Sequence, residues 1–164
     1  MNIRSIAFLD TSFFQSALIG KYRQAFAPST DPLHHGLDIL PLTANTLREW
    51  KSGRALLSRI KAGAAPFFDG KSAELGDAAV LAVKPGAWID WHADEGEYAE
   101  SHLRLHLCIV PSPGAYVFCG IENAILPVGQ IVFVNHRVLH SEINVGDYTT
   151  YKLVVDVKRP DADT

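Results

Sequence analysis

The sequence predicts an α+β fold: a jelly-roll-like barrel, of the double-stranded β-helix or cupin-like type, with N-terminal buttressing helices. Three observations predict it. The first third carries apolar residues at helical spacing. After Gly76 the texture changes to short β-type runs, "AAVLAVK", "HLRLHLCIV", "AYVFC", "GQIVFV" and "KLVVDV", separated by Pro and Gly. The chain has 164 residues, 48% of them apolar, which suits one domain around one sizeable core. A single domain 1–164 is therefore expected, with a helical part over about 1–70 and a barrel core over about 76–158.

Taken in order, Thr11 or Ser12 is placed to cap a helix near 11–25, with Phe13, Phe14, Ala17, Leu18 and Tyr22 as its apolar positions. The stretch "PSTDPLHHG" reads as a loop, which puts His34 and His35 in a loop. A second helix is expected near 46–62. Thr46-Leu-Arg-Glu49 is a capping box, in which the Thr and Glu side chains each satisfy an orphan backbone N–H. Leu47, Trp50, Leu57 and Ile60 recur at helical spacing, and the helix should end near Gly63. Turns are expected at Pro85-Gly86, Pro111–Gly114, Pro127–Gly129 and Val145–Asp147, between strands of an antiparallel barrel. Within "HLRLHLCIV" the alternation is strict. Leu103, Leu105, Leu107 and Ile109 face one way, and His102, Arg104, His106 and Cys108 face the other.

Composition narrows the function classes. The net charge is -3 and there is no Lys/Arg stripe, so nucleic acid is not an expected partner. No apolar run approaches the roughly 20 residues of a membrane span, so no membrane association is expected. "MNIRSIAFLD" lacks the apolar run and cleavage site of a signal peptide. Cys108 and Cys119 both lie in apolar runs and read as buried thiols rather than a disulfide. A soluble, cytoplasmic protein is the expectation, of unspecified oligomeric state.

Chemistry concentrates around "WHADEGE". His92 and Asp94 are two apart, so on an extended segment their side chains share a face and reach one ion. A third ligand must come from elsewhere, and His140 in "NHRVLHSEIN" is the candidate. Two imidazoles and a carboxylate on one side of a metal are the facial triad of non-haem iron(II) oxygenases. Glu95, Glu97 and Glu100 read as a solvated loop. Arg104 and His106 offer a guanidinium fork and an imidazole to a small anion if their face lines a cavity, or look at water if the strand is half-exposed. His102 is placed for a cavity mouth, and His136 reads as a loop histidine. Of Trp88 and Trp91, one is expected in the core and the other in the pocket wall.

From Leu81 to Pro160 the chain resembles the aspartyl/asparaginyl β-hydroxylase family of Fe(II)- and 2-oxoglutarate-dependent oxygenases, to which bacterial cis-type proline hydroxylases are related. "KPGAWIDWH" resembles the family's lead into its first ligand, "RLHLCIVP" its Arg-x-His-Leu strand, "GQIVFVNHRVLHSEIN" its run into the distal histidine, and "LVVDVKRP" its closing strand. The resemblance implies an enzyme, a hydroxylase with Fe(II) as metal and 2-oxoglutarate and O2 as cosubstrates. It implies His92 and His140 as metal histidines, and Arg104 and His106 at the 1-carboxylate of 2-oxoglutarate. Asp94 stands where animal peptide hydroxylases have glycine, which completes the triad as in the proline hydroxylases. Two positions depart from the family. Thr150 stands where its arginine binds the far carboxylate, and Leu81 where a serine assists. Lys152, with Thr150 beside it, is the expected replacement. These departures leave two rivals open: a cupin-like metalloenzyme that does not use 2-oxoglutarate, and a metal-free small-anion binding module. The expected substrate is a free amino acid, small metabolite or peptide residue.

Overall fold

The computed structural model describes residues 1–8, 10–12, 15, 23–42, 51–69 and 74–160. Most of the helix expected near 11–25, and the capping box at Thr46–Glu49, lie outside the described residues. The second expected helix is present as α1, Lys51–Ala64, and runs into a 3-10 turn at Ala65–Phe67. Pro66 stops it, since proline has no N–H to continue the ladder. Leu57, Ile60 and Ala64, at spacings that share one helical face, are buried.

Among the described residues ten strands follow one another: β1 Ile3–Phe8, β2 Ala27–Pro28, β3 His34–Leu42, β4 Glu74–His92, β5 His102–Val110, β6 Ala115–Cys119, β7 Glu122–Ala124, β8 Gln130–Val134, β9 His140–Asn144 and β10 Thr150–Lys158. A short helix α2, Gly96–Ser101, separates β4 from β5. The strands pair antiparallel in the order β1-β8-β5-β10-β4-β9-β6-β7, with β3 also on β4 and β2 on β3. The result is the nearly closed antiparallel barrel that the β-rich half predicted.

The first third is a correction. It contributes β1 and β3, and His34 and His35 open β3 rather than lying in a loop. The reason is tertiary. Leu37, Leu40 and Leu42 of β3 are all buried once β4 pairs alongside, so the partner strand fixes a conformation that local propensity leaves undecided. Gly63 allows α1 to lie against β1, because a Cβ there would stand 2.5 Å from Ile6 Cγ2.

Pro85-Gly86 is a second correction. These residues do not separate two strands but bend one. Up to Val83, β4 pairs with β10; from Trp88 onward it pairs with β9. The proline, which has no N–H to donate, sits where neither ladder runs. Gly86 takes φ +77°, a conformation that glycine adopts without cost. This bend carries the strand from one side of the barrel to the other and delivers His92 to the mouth.

The main core lies on the outer face of the β4-β10-β5-β8 side. Leu103, Leu105, Leu107 and Ile109 pack with Leu153, Val155, Val157 and Ile131 against Leu57, Ile60 and Ala64 of α1. Each such aliphatic side chain contributes about 1.5–3 kcal/mol on full burial. A second cluster, Cys108, Val117, Cys119, Leu126, Val132 and Val134, fills one end of the barrel interior. Both cysteines are buried and unpaired, as expected from their apolar runs. A third cluster, Leu37, Val83, Ala87 and Ile89, packs near the β4 bend, and a cavity lies within the barrel. Among the described residues no helix is long and apolar enough to cross a membrane.

Candidate metal centre

His92, the last residue of β4, pairs in register with His140, the first residue of β9. Their ring centroids are 4.2 Å apart. Each ring is oriented by the same device. The Nδ1–H of His92 donates to the carbonyl of Asp90 at 2.7 Å, and that of His140 to the carbonyl of Val138 at 3.0 Å. Those bonds fix the tautomer and leave each Nε2 lone pair free as a ligand. Asp94 lies two residues beyond His92, anchored by its backbone N–H donating to the carbonyl of His136 at 2.9 Å. Its Oδ1 is 3.3 Å from His92 Nε2. Ligand atoms of His92, Asp94 and His140 all lie within 4.8 Å of one another. Burial pushes the His140 imidazole down to about 4, so it is neutral at pH 7, as a ligand must be. Two imidazole nitrogens and a carboxylate oxygen, pre-aimed at one point from one side, fit a divalent metal of the iron(II) type.

Arg104 and His106 point into the barrel, on the face opposite the core leucines, and line a cavity of 320 Å³ with His92 and His140, while Asp94 lines an adjoining recess that His92 shares. Arg104 lies directly across from Asp156 of β10. Its Nε and Nη2 donate to the two oxygens of Asp156 at 2.9 and 3.0 Å, and its Nη1 donates to Asp94 Oδ2 at 2.5 Å. Burial opposes the guanidinium charge, but Asp156 and Asp94 more than offset it and raise its pKa. Two of its five N–H groups stay free of these bonds.

The floor of the cavity is different. His106 is 7% exposed, and neither of its ring nitrogens has a hydrogen-bond partner. Burial holds its pKa well below the ordinary histidine value, so the ring is neutral. Lys152 also reaches the cavity and forms a buried ion pair with Glu142 of β9. Burial pushes the Lys152 ammonium down to about 7. Leu81 lies opposite Lys152 in register and lines the same cavity. Thr150 is placed otherwise. Its hydroxyl donates to the carbonyl of Val110 at 2.8 Å, and it lines a smaller adjoining cavity with Cys108, Ser112 and Lys152.

Among the cavity residues, Glu142, Asp156 and His136 carried no role in the sequence reading. Glu142 and Asp156 are the buried partners of Lys152 and Arg104. The signal for them was alternation: each follows its strand's functional residue at an even spacing, His140 to Glu142 and Lys152 to Asp156. His136 sits in a turn, as expected, but is only 2% exposed and lines the cavity. His34 lines it from β3, its Nδ1 within 2.8 Å of Ser29 Oγ. Other expectations fall away from the site. His102 is buried against Tyr98, their rings stacked at 3.9 Å. Trp88 and Trp91 are both exposed, neither in the core nor in the cavity wall. Trp88 stacks on His35 instead, and Trp91 packs near Phe118. Glu95, Glu97 and Glu100 are exposed around α2, consistent with a solvated segment.

Comparison with known proteins points the same way as the geometry. The fold is similar to that of a viral collagen prolyl hydroxylase from Paramecium Bursaria Chlorella virus-1, solved as a 2-oxoglutarate complex: TM-score 0.68, 12% identity, 98% of this chain and 97% of that one. It is also similar to a prolyl-4-hydroxylase from Pseudomonas putida, with TM-score 0.68, 13% identity and coverage of 97% and 93%. A third similar structure is the epimerase SnoN from nogalamycin biosynthesis, solved with Fe3+, alpha ketoglutarate and a nogalamycin compound: TM-score 0.69, 14% identity, coverage 96% and 79%. At these identities the likeness shows the fold. No curated protein sequence matches the chain. The family model for aspartyl/asparaginyl beta-hydroxylase matches residues 64–160, more than half of the chain, a span that includes His92, Asp94, Arg104, His106, His140 and Lys152. The chain therefore belongs to the aspartyl/asparaginyl β-hydroxylase family of iron(II)- and 2-oxoglutarate-dependent oxygenases.

Proposed function

We propose that this oxygenase hydroxylates a free amino acid, a small metabolite or a short peptide residue at a centre built from His92, Asp94 and His140. The observation that carries the reading is the convergence of the three ligand atoms within 4.8 Å, with both Nδ1–H groups already committed to backbone carbonyls. The chemistry supplied there, with iron(II) bound, is oxidative decarboxylation of 2-oxoglutarate to succinate and CO2 with transfer of one oxygen atom from O2 to a substrate C–H bond.

The chain's own part is positioning and exclusion of water. His106, with two unpartnered nitrogens, and Arg104, with two uncommitted N–H groups, receive the 1-carboxylate of 2-oxoglutarate. Lys152 takes the far carboxylate as a point charge. To do so it must share its ammonium with Glu142, and Thr150 adds a bond only if its hydroxyl turns from Val110. Apolar Ile39, Leu81, Val134 and Val154 line the cavity and keep the reacting atoms dry. The two buried, unpaired thiols suit the reducing cytoplasm.

The test is succinate release from 2-oxoglutarate in the presence of iron(II), run across amino acids, small metabolites and short peptides. His140→Ala removes a ligand outright. Turnover and Mn(II) binding should fall by more than the roughly 100-fold that losing an outer-shell partner costs. Wild-type protein that binds iron(II) but releases no succinate with any candidate substrate would overturn the hydroxylase reading.

A further inference from the structure

We propose that Asp156 is a positioning residue for the metal centre, acting through Arg104 on Asp94. The proposal rests on the reading of His92, Asp94 and His140 as metal ligands. Asp94 lies in the segment between β4 and α2, where no strand ladder holds it, and one backbone hydrogen bond fixes its main chain. Its side chain is set by Arg104. Nη1 of Arg104 occupies Oδ2 at 2.5 Å, which leaves Oδ1 turned toward His92 Nε2 at 3.3 Å. The two oxygens are thus divided, one held by the guanidinium and one presented to the metal position.

Arg104 can hold Asp94 only if its own plane is fixed. Asp156 does that by a two-point fork to Nε and Nη2, at 2.9 and 3.0 Å, from a directly paired strand position. Two parallel bonds define the guanidinium plane, so the third nitrogen is aimed rather than free to swing. Asp156 is 4% exposed, so this fork is shielded from water. This positioning favours the metal and does not require Asp156 to touch it.

Mn(II) titrated into the full chain without 2-oxoglutarate, followed by electron paramagnetic resonance, tests this. Asp156→Asn should weaken Mn(II) binding about 10- to 100-fold, the range for outer-shell partners, and Arg104→Met should do the same. The double variant should bind no more weakly than Arg104→Met alone, because Asp156 has nothing left to position. That variant leaves no unpaired buried charge, so it keeps the test available if a single variant unfolds. Asp156→Asn binding Mn(II) as tightly as wild type would overturn the proposal, and so would losses that multiply in the double variant. His140→Ala separates the two readings. If it leaves Mn(II) binding intact, the metal centre itself is misplaced; if it abolishes binding while Asp156→Asn does not weaken it, only the role of Asp156 fails.

Discussion

The two ends of the cavity are built on opposite terms. At the mouth, His92, His140 and Asp94 are partly exposed, and their orienting bonds go to backbone carbonyls or to a forked Arg104. At the floor, His106 has no partner, and Lys152 and Glu142 are both buried with each other as counter-ions. The mouth is complete before anything binds. The floor holds a neutral donor and a neutralised cation, so an incoming dicarboxylate must reorganise it. A buried charge pair recovers its desolvation cost only with good geometry and further hydrogen bonds. Binding at the floor should therefore be sensitive to single side chains that leave the mouth untouched.

Lys152→Met gives the largest separation between the two ends. It keeps most of the volume and removes the charge. Affinity for 2-oxoglutarate, measured by calorimetry with Mn(II) and without oxygen, should fall by about 2–5 kcal/mol, the cost of breaking one partner of a buried charge pair. Mn(II) affinity should stay unchanged. Adding Glu142→Gln removes the stranded carboxylate and should restore folding stability without restoring 2-oxoglutarate affinity. Unchanged 2-oxoglutarate affinity in Lys152→Met would move the anchor to another residue.

A smaller effect comes from pH. His106 is neutral in the folded chain because burial lowers its pKa well below 6.5, its value when exposed. Below pH 6.5 the unfolded chain takes up a proton there and the folded chain does not. Stability is therefore fully present above 6.5 and falls as pH drops beneath it. The loss from this one group is at most about 1.4 kcal/mol over the first pH unit. Urea unfolding at pH 7.5 and 5.5 checks it: His106→Leu should lose less stability over that interval than wild type. An equal loss would show that His106 is not the group responsible.

The smallest effect is expected at Leu81. It lies opposite Lys152 in register, where the family resemblance has a serine. Leu81→Ser should add one hydrogen bond to the far carboxylate and tighten 2-oxoglutarate by about 1 kcal/mol, the net value of such a bond. Weaker binding would mean that the apolar wall matters more there than a donor.

Legibility differed between these regions for physical reasons. The candidate ligand set could be proposed from sequence because His92 and Asp94 are two apart and the distal histidine follows a clear strand. The cavity face of β5 was readable because strict alternation puts the leucines on one side and Arg104 and His106 on the other. The partners of those residues were not readable. Asp156 meets Arg104 only through the register of β10 on β5, and Glu142 meets Lys152 across the cavity from a different strand. Trp88 and Trp91 misled for a related reason. Large aromatics suggest burial, but among the described residues Trp88 and Trp91, beyond the bend of β4, are 43% and 55% exposed.

The sequence by itself determined what depends on near neighbours along the chain. This covers the β-rich barrel from about residue 76, the α1 helix and its end, the inward face of β5, and the residue types of the candidate metal centre. Period and spacing carry that information because side-chain direction follows backbone geometry within a few residues. Tertiary structure alone decided the strands of the first third, the bend at Pro85-Gly86 that joins two sides of the barrel, and the pairing of each buried charge. Those outcomes depend on which strand lies alongside which and in what register, and long-range pairing is set by the burial of the whole core rather than by any local run of residues.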